Sequence, residues 1–571
     1  IKVSVVGYTA ELLKDVVVTA DRITTLDFEL TSGVKLDEVV VKEYTVPLIR
    51  KDGGSETTVS SEDIQRMPGR SAQSVAVTTA GVYSQDGEVG SIRGSRSEAT
   101  DTYIDGVKVR GSSALPQSAI EQVTVVTGGL PAQYGDATGG VISITTKGPS
   151  RKTFGGAEVV TSQFLDNYNY NLAAFNLSGP LVMVTDKQDT TKKKPLFGYF
   201  ISGEGTTIKD PSPSAIGAFK VKDDILSDLQ ENPIRPSGFL TGGSFPNAEF
   251  IRREDVENVP ARQNVRTQGL NLAGKLDVTT SSSTNLTFGG SIDMNKNRIY
   301  SYSNALFNYD NNGEVINNTW RVFGRFTQRF TNQAKKGEKQ PLISNAYYSI
   351  QADFTQLTQT VQDPDHKDDL FKYGHVGKFT TYRQPTYVFG VDDSTGLPGL
   401  LQDAFQDTLF AFEPSQSNPL LANYTEQFYE QNERDGNYEN WTQVQQNGGL
   451  VNGQLPDQVY GLWNNTGTPY NSYSKTDQQQ YRITGTGSID IKNHAVTLGF
   501  EYEQRVDRFV GYSPAGLWTL MRQYANAHVE QLDRSQPMPV FENGIYQDTI
   551  NYPILYDGEN QRFFDYNTRQ A

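Results

Sequence analysis

Beyond residue 150 the chain alternates hydrophobic and polar residues in long runs. In a clear example, Leu286, Phe288 and Ile292 fall on one face of an extended chain, opposite Thr287 and Ser291. The strongest runs are 269–279, 285–295, 318–330, 345–355, 480–491 and 495–506, and weaker ones lie at 153–164, 168–178 and 196–205. Two-faced segments of about 10 residues are typical of transmembrane barrel strands, although strands of a soluble β-sandwich also alternate.

The connections between these nine runs favour the barrel. They lie at 165–167, 179–195, 206–268, 280–284, 296–317, 331–344, 356–479 and 492–494. From the third onward they alternate long and short, with every long one on the same side, whereas the first two depart mildly from this rule. Outer-membrane barrels have short periplasmic turns and long extracellular loops. Because an odd set of nine strands leaves two unpaired edges in lipid, we expect further strands and a sequence that is incomplete at both ends.

The pattern before the barrel strands predicts three further units. Residues 1–35 are short, alternating and β-rich, like the end of a small β-sandwich. Residues 36–54 combine a strand-like run with a proline and a polar segment, which indicates a linker. Residues 55–148 are compact and mixed, with a helix start predicted at Ser61, and residues 149–571 are assigned to the barrel and its long loops. The predicted fold class is mainly β: part of a large antiparallel barrel together with a mixed α/β domain.

Composition narrows the functions open to the chain. Its mean hydropathy is −0.53, and no apolar run approaches the roughly 20 residues of a membrane-spanning helix, so a helical membrane protein is excluded while a barrel is not. The 30 Tyr, 28 Phe and 52 Gly suit sheets and turns. The net charge of −15 argues against a nucleic-acid binder. The absence of Cys excludes disulfides, thiolate zinc sites and Cys nucleophiles.

Other candidate chemistry is sparse. The four His are scattered without metal-ligand spacing: His366, His375, His494 and His528. The acidic segments Asp363–Asp369 and Asp310–Glu314 offer the oxygen ligands that Ca²⁺ prefers, although such short segments are more often ordinary polar loops. Neither a phosphate-binding loop nor a nucleophile elbow occurs in the sequence. We therefore predict that the chain is not an enzyme and has no resident cofactor, with Ca²⁺ in the long loops as an open alternative.

Ordered motifs between residues 92 and 147 carry a family resemblance. They are Ile92-Arg-Gly94, Tyr103-Ile-Asp-Gly-Val107, Tyr134-Gly135 and Gly139-Gly-Val-Ile-Ser-Ile-Thr-Thr-Lys147. Together they resemble the plug domain of TonB-dependent outer-membrane transporters, over roughly residues 55–148. The resemblance implies a plug inside the lumen of a barrel of the 22-stranded class. It marks as plug-signature residues Arg93, Gly94, Asp105, Gly106, Tyr134, Gly135, Gly139 and Gly140, whose glycines serve turns and close strand packing.

A segment upstream of the plug, Leu36-Asp-Glu-Val-Val-Val41, resembles a TonB box. Such a segment binds by adding a strand to the edge of the periplasmic TonB domain. The resemblance implies this role for Leu36, Asp37, Glu38, Val39, Val40 and Val41. The alternative is that residues 36–41 are the last strand of the preceding small domain, which resembles the end of a carboxypeptidase-regulatory-like domain of Bacteroidetes-type transporters. The sequence at Thr127-Gly-Gly is similar to the Oar-like rather than the SusC-like branch of these transporters. The resemblance therefore does not imply an obligatory lipoprotein lid.

Arg93 is a candidate for a lock between plug and barrel, because a charge inside a polar lumen needs a partner. Its predicted partners are Glu501 and Glu503 on the inward face, and the open alternative is a local ion pair such as one with Glu98. The long connections 206–268 and 356–479 are rich in aromatic and amide side chains, as expected either of ligand capture or of a protective surface.

The resemblance implies TonB-dependent transport of an unidentified substrate across the outer membrane of a Gram-negative, Bacteroidetes-like bacterium. The implied partners are TonB, outer-membrane lipids and, as an open point, a surface lipoprotein or another outer-membrane subunit, with no nucleic acid. One alternative is a component of the same fold in an outer-membrane secretion or assembly complex, acting as export channel or scaffold. A second alternative is an adhesin or soluble binding protein.

Overall fold

The computed structural model of the protein describes residues 1–3, 8, 10–14, 28, 30, 39–43, 55–85, 88–135, 137–185, 193–237, 243–281, 283–330, 343–432, 444, 446–491 and 494–555. The protein is mainly β, with 53% strand and 14% helix. This agrees with the predicted fold class. Among the helices of the described ranges, none is both long and apolar enough to pass through a membrane.

The N-terminal region contributes a small sheet of three strands. These are β1 (Lys2–Val3), β2 (Ala10–Lys14) and β3 (Val39–Glu43), in the order β1-β2-β3. Strands β2 and β3 run parallel, with Ala10 opposite Val39 and Leu12 opposite Val41. The second half of the predicted TonB box therefore lies in a strand of this sheet, whereas residues 36–38 lie outside the described residues.

Residues 55–146 form a mixed α/β unit within the predicted plug segment. Its elements are β4 (Ser55–Ser60), α1 (Ser61–Arg66), α2 (Ala72–Ala76), β5 (Val82–Gln85), β6 (Glu88–Ile92), β7 (Thr100–Ile104), β8 (Val107–Lys108), β9 (Ile120–Gly128) and β10 (Gly140–Thr146). Five strands form a sheet in the order β4-β9-β10-β7-β8. The predicted helix start is confirmed: the Ser60 hydroxyl accepts a hydrogen bond from the Asp63 backbone N–H, as an N-cap does. Ile64, Val75 and Ile144 are buried in its core.

The remaining elements lie between residues 154 and 551. In chain order they are β11 (Phe154–Thr161), β12 (Asn171–Thr185), β13 (Lys193–Ile208), β14 (Ala218–Val221), α3 (Asp223–Glu231), β15 (Ile234–Pro236), β16 (Ser244–Pro246), β17 (Val256–Val259), β18 (Thr267–Thr279), β19 (Thr284–Arg298), β20 (Glu314–Phe330), β21 (Ile343–Gln362), β22 (Gly377–Val391), β23 (Pro398–Pro414), α4 (Pro419–Asn432), β24 (Tyr473–Ile491), β25 (His494–Tyr512), α5 (Ala515–Glu530), β26 (Met538–Glu542) and β27 (Ile545–Asn551). Short 3-10 helices lie at Ser97–Ala99, Gln117–Ala119, Asn247–Phe250, Arg253–Asp255, Tyr302–Asn304 and Tyr309–Asn311.

Nine of these strands form one antiparallel sheet, in the order β11-β12-β13-β18-β19-β20-β21-β24-β25. They correspond to the nine runs predicted from the alternation. Phe288 is 49% and Ile292 41% exposed, whereas Ser291 and Asp293, which point to the other face, are 7% and 2% exposed. The apolar face is therefore outside, as a lipid-facing surface requires, and a sandwich core is excluded. Within the described residues β11 and β25 each have one neighbour, so closure into a 22-stranded barrel stays a prediction.

The connections at the two ends of the strands differ in length. At one end of the strands, which we name the long-loop edge, lie the connections 162–170, 209–266, 299–313 and 363–472. At the other end, which we name the short-turn edge, lie the connections 186–192, 280–283, 331–342 and 492–493. The prediction that the first two connections depart from the alternation of long and short connections was wrong. Strand β12 continues to Thr185, so the connection that follows it is the shorter of the two and the rule holds throughout.

The long connections contain packed elements of their own, where the sequence pattern predicted polar loops. Leu421, Tyr424 and Phe428 lie on one side of α4 at helical spacing and are buried together with Val376 and Val451. A second core gathers Val221, Leu229, Ala248, Phe307 and Val459. A four-stranded sheet in the order β22-β23-β27-β26 also belongs to this side. The long-loop edge is therefore a folded layer rather than a set of independent loops.

Candidate functional site: the interface between the plug and the sheet

A tight turn places the tip of one plug hairpin against the inner face of the nine-stranded sheet. Asp105 and Gly106 are the only residues between the paired ends of β7 and β8. Both adopt a left-handed backbone, with φ of +49° and +80°, as a two-residue hairpin turn requires. Asp tolerates this conformation better than most residues, and Gly adopts it without a steric penalty. The Asp–Gly pair therefore determines the shape of the tip.

Lys275, on the inner face of β18, reaches this tip from the sheet. Its Nζ lies 2.9 Å from Asp105 Oδ1 and also donates to the Thr146 carbonyl oxygen at 2.9 Å. The same carboxylate accepts the Thr146 backbone N–H at 3.0 Å and its hydroxyl at 2.5 Å. The Lys275 and Asp105 side chains are only 10% and 6% exposed. Each therefore depends on the other, because a buried charge without a partner is strongly destabilising.

Strands β20 and β24 supply further donors to the backbone of the same hairpin. The donor–acceptor pairs are Arg325 Nη2 to Asp105 O, Arg482 Nη2 to Gly106 O, Arg321 Nη2 to Arg110 O (2.7 Å) and to Ser112 O, and Gln480 Nε2 to Lys108 O (3.0 Å). Hydrogen bonds from charged donors are stronger than neutral ones. The hairpin is therefore held by a row of inward-facing cations that act on main-chain oxygens and not only on side chains.

Arg482 also lies close to two carboxylates of the sheet, which balance its charge at the interface. Its Nε lies 3.4 Å from Asp353 Oδ2 and its Nη1 3.9 Å from Glu501 Oε1. Its guanidinium carbon lies 5.7 Å from the centre of the Tyr103 ring, within the range of a cation–π contact. Burial raises the pKa of the Tyr103 hydroxyl, so the ring stays neutral beside these charges.

A second anchor joins the plug to the first strands of the sheet. Arg70 donates to both carboxylate oxygens of Glu158 at 2.8 Å and to Glu204 at 3.1 Å. The hydrogen bonds to Glu158 raise the pKa of Arg70. The hydroxyls of Ser118 in the plug and Ser202 on β13 lie 2.7 Å apart.

The interface is predominantly polar, with little apolar contact. From the sheet, Phe200 and Ala273 join the hydrophobic core of the plug and Leu357 lies against Gly111, while the anchors described above are hydrogen bonds and ion pairs. Water can replace such contacts at a far smaller free-energy change than it can replace a sealed apolar core. The geometry therefore suits a domain that is held firmly in the sheet and can still be released.

Arg93 does not reach the carboxylates predicted as its partners. It lies in the turn after β6 with φ of +50°, followed by Gly94 with φ of +79°. Its Nη2 donates to the Ser55 hydroxyl at 2.8 Å, so the guanidinium is directed along the plug and not toward the sheet. Glu501 is instead near Arg482, and Glu503 pairs with Arg505. The predicted Arg93 lock is absent among these described residues, and Lys275, Arg321, Arg325 and Arg482 connect plug and sheet instead.

Of the remaining signature residues, Tyr134, Gly139 and Gly140 pack inside the plug, whereas Gly135 is exposed. The Tyr134 and Tyr103 rings lie 5.2 Å apart, centre to centre. A Cβ on Gly140 would lie 2.6 Å from Ile92 Cδ1 and 3.0 Å from the Val126 carbonyl oxygen, so β10 approaches its neighbours more closely than any other residue would permit. Gly139 is similarly close to Ser95, whereas a Cβ on Gly135 would meet nothing within 4 Å.

The acidic segments are ordered by contacts other than a metal ion. Asp363 accepts the backbone N–H groups of Asp365 and Tyr470, and Glu314 pairs with Lys296 at 2.8 Å and accepts from Gln362 at 2.9 Å. In the part of the chain that the structure describes, no group of three or more His, Asp or Glu is arranged to hold a metal ion. Ca²⁺ binding in the long loops stays a prediction.

The predicted site residues do not include the cations on the sheet. Lys275, Arg321, Arg325 and Arg482 fall on the polar face of the predicted strands, but alternation alone does not show that this face meets a protein domain rather than water. One signal was available. Four cations on the inward face of the alternate strands β18, β20 and β24 need partners in a lumen, and an Asp–Gly turn with its carbonyl oxygens is a suitable one.

At the long-loop edge, Asp210 joins the two ends of connection 209–266. Its Oδ1 accepts from Arg262 Nη2 at 2.6 Å and its Oδ2 from the Arg262 backbone N–H at 2.8 Å. The guanidinium lies 4.6 Å from the centre of the Tyr300 ring in the next connection. Burial raises the pKa of Asp210, but the hydrogen bonds from Arg262 outweigh it, so the pKa lies below its ordinary value.

This shift predicts that acid loosens the connection 209–266. A carboxyl whose pKa is lowered on folding contributes stability that is fully present above its unfolded pKa, about 3.9, and is lost as the pH falls through the lower folded value. The protection of backbone amides in residues 211–261 against hydrogen exchange, corrected for the intrinsic pH dependence of amide exchange, should therefore fall below about pH 4. Asp210→Asn should raise exchange at neutral pH and remove most of this acid dependence. Equal exchange in both proteins between pH 7 and pH 3 would contradict the assignment.

Comparison with known proteins finds a family model that matches the plug segment and a relative that matches part of the chain. Residues 49–141 match the model of the TonB-dependent receptor plug domain. The chain is 31% identical over 253 residues to the probable TonB-dependent siderophore receptor PirA of Acinetobacter baumannii, an alignment that covers 38% of this chain and 33% of that protein. These findings support a TonB-dependent receptor. Receptors of this class are transport proteins of the Gram-negative outer membrane.

Solved structures of outer-membrane receptors are also similar to this chain over part of their length. The siderophore receptor PirA from A. baumannii has a TM-score of 0.34 at 14% identity, covering 80% of this chain and 57% of that one. The ferric-catecholate import receptor Fiu from E. coli K12 has a TM-score of 0.35 at 14% identity, covering 80% and 60%. Both scores are too low to establish a shared arrangement of the whole chain. The chain spans about a third of the curated relative and less than two thirds of these structures.

Proposed function

We propose that this chain belongs to a receptor that carries a solute across the outer membrane of a Gram-negative bacterium when TonB acts on its plug. The observation that carries the proposal is the way in which the plug is held. Inward-facing cations of the sheet donate to main-chain oxygens of the hairpin around Asp105, and a buried ion pair joins Lys275 to its carboxylate. Such polar contacts can be broken by a pull and reformed afterwards.

The proposed mechanism transmits force along the chain into the plug. TonB would pair with residues 36–41, of which Val39–Val41 would first have to leave strand β2 of the N-terminal sheet, and would then pull on β4, the first plug strand, which pairs with β9. Strand β9 then connects the pulled end to the central strand β10, which pairs with β7 of the hairpin that the cations hold. Displacing this hairpin from the sheet would open a passage along the inner face. Nothing is chemically transformed in this process.

We also propose the type of the N-terminal domain, the surroundings of the sheet and the partners of the receptor. The N-terminal strands would belong to a carboxypeptidase-regulatory-like domain of a Bacteroidetes-type receptor, and the outward apolar side chains of the sheet would contact outer-membrane lipids. A surface lipoprotein or a second outer-membrane subunit would dock on the folded layer at the long-loop edge. The named relatives are siderophore receptors, so a ferric siderophore is the substrate class that they suggest.

The TonB box provides the direct test. Deletion of residues 36–41 should abolish binding of the soluble periplasmic domain of TonB to the purified receptor, and should abolish growth on a solute whose use requires the receptor gene. Val40→Pro should do the same, because proline cannot donate the backbone hydrogen bond of an added strand.

The matched control is Val82→Pro in the short β5–β6 hairpin of the plug, outside the segment proposed to pair with TonB. This variant should retain TonB binding. If deletion of residues 36–41 leaves both TonB binding and receptor-dependent growth unchanged, TonB-driven transport is excluded, and a scaffold role would then explain the fold.

A further inference from the structure

The outer face of the nine-stranded sheet contains a depression near the short-turn edge. It lies over β24, between β21 on one side and β25 on the other, and has a volume of about 540 Å³. The paired residues that form it, row by row, are Ala346 with Ile489 and Val496, Tyr348 with Gly487 and Leu498, and Ile350 with Gly485 and Phe500. They alternate along their strands with residues that point to the plug side. The depression therefore lies on the face that the sheet turns toward lipid.

The floor of the depression is low because it is made by glycines. Gly485 and Gly487 leave this face of β24 without side chains, whereas Ile483 and Ile489 project beyond them at either end. Gly487 does not have the left-handed backbone that favours glycine, and a Cβ there would meet nothing closer than the Tyr347 carbonyl oxygen at 3.6 Å. Neither backbone conformation nor crowding therefore requires a glycine at this position. A glycine inside a strand weakens it and often marks the close approach of a ligand.

Large apolar side chains form the walls of the depression. On the β21 side the Tyr348 ring leans toward β20, with its centre 6.1 Å from that of the Phe330 ring, so that it borders Gly487 without covering it. On the β25 side Leu498 and Phe500 are 74% and 63% exposed. Among the described residues that line the depression none is charged. The surface therefore offers contact to an apolar ligand and no counter-charge to a polar head group.

We propose that this depression binds one acyl chain of a phospholipid of the periplasmic leaflet. The inference rests on the proposed position of the sheet in the outer membrane and goes beyond the transport function. Gly487 lies four residues before Ile491, the last residue of β24, which is about 14 Å along the strand at a rise of about 3.4 Å per residue. Short turns lie on the periplasmic side of such sheets. The depression is therefore at the depth of the acyl chains of that leaflet.

The shape of the depression favours a flexible chain over a folded partner. Its floor is one strand wide, and its walls on β21 and β25 are two strand spacings, or roughly 10 Å, apart. A methylene chain can lie along such a floor and contact both walls at once. The face of another β-sheet could insert only a single side chain between them, and most of the apolar surface would stay without contact.

Native mass spectrometry of the purified receptor in detergent tests the proposal. The probes are phosphatidylethanolamine, phosphatidylglycerol and palmitate, each titrated into delipidated receptor. We expect one phospholipid to bind more tightly than all later ones, with equal affinity for the two head groups. Gly487→Leu should weaken this first binding about tenfold, because the leucine takes the place of about two methylene groups of the ligand. Leu498→Ala, which removes part of a wall and cannot clash, should weaken it as well.

Gly274→Leu is the matched control, because it makes the same change on the outer face of β18, outside the depression. A Cβ at Gly274 would also meet nothing closer than 3.6 Å, so both leucines have the same room. The control should leave the first binding unchanged. The proposal would be overturned by a native receptor without a tightest phospholipid site, by binding of palmitate alone, or by equal effects of Gly487→Leu and Gly274→Leu. Unchanged binding in Leu498→Ala with native β-sheet circular dichroism would also overturn it.

Light scattering separates the acyl chain from a second copy of the chain as the occupant. A dimer of the native receptor that Gly487→Leu dissolves would assign the depression to a contact between two receptors and overturn the proposal. The transport function is tested independently by the deletion of residues 36–41. A receptor that takes up its solute without these residues but retains the phospholipid would contradict only the transport function, whereas one that needs them but binds no phospholipid would contradict only this inference.

Discussion

The double substitution Ser118→Cys/Ser202→Cys is expected to abolish receptor-dependent uptake under oxidising conditions. The two hydroxyls lie 2.7 Å apart, one on the plug and one on β13, which is compatible with the short Cβ–Cβ separation of a disulfide. Because the native chain contains no Cys, the engineered pair has no competing thiol. A covalent link would prevent the plug from leaving the sheet at this point, whatever force TonB applies.

Growth on the solute that requires the receptor measures the effect. We expect no growth with the oxidised double variant and full growth after mild reduction, while Ser118→Cys and Ser202→Cys alone behave like the native chain. Thr327→Cys/Ser349→Cys is the matched control, since those hydroxyls lie 3.2 Å apart on two neighbouring strands of the sheet. A disulfide there leaves the plug free. Normal growth of the oxidised plug–sheet variant would show that the plug does not need to separate from β13.

The strands of the sheet could be predicted from the sequence because their environment repeats every second residue. Phe288 and Ile292 lie on the exposed outer face, whereas Ser291 and Asp293 are buried on the inner face. This difference between the two faces determines which residue types alternate along each strand. The strand ends were less predictable. Strand β12 continues through Gly179 and Pro180 to Thr185, beyond the point at which these residues predicted a turn, because pairing with β13 on one side compensates for their weak strand propensity.

The contacts of the site could be predicted only in part. The Asp105–Gly106 turn follows from local backbone chemistry, so its shape was predictable. The partner of Arg93 depends on where the plug sits in the sheet, which no local pattern contains, and the assignment to Glu501 and Glu503 was wrong for that reason. The folded layer at the long-loop edge was missed because its apolar residues, such as those of α4, are scattered among many amides.

Breaking the ion pair between Lys275 and Asp105 is expected to release the plug more easily than any change on the outer face of the sheet. Lys275→Met leaves the Asp105 carboxylate, 6% exposed, with only the Thr146 donors. Removing one partner of a buried pair costs roughly 3–5 kcal/mol. The expected result is a plug that becomes protease-sensitive at a lower urea concentration, because cleavage under these conditions reports the population of the released form.

The double variant Lys275→Met/Asp105→Asn should recover part of this loss, since Asn keeps an acceptor for Thr146 and suits the left-handed turn while carrying no charge to bury. Lys475→Met is the matched control, because this lysine is exposed on β24, and such surface changes usually stay within about 0.5 kcal/mol. If the single and double variants were equally destabilised, the pair would act only through packing. The attraction between plug and sheet would then have to come from the arginines that donate to the hairpin backbone, which the loss of Lys275 leaves intact.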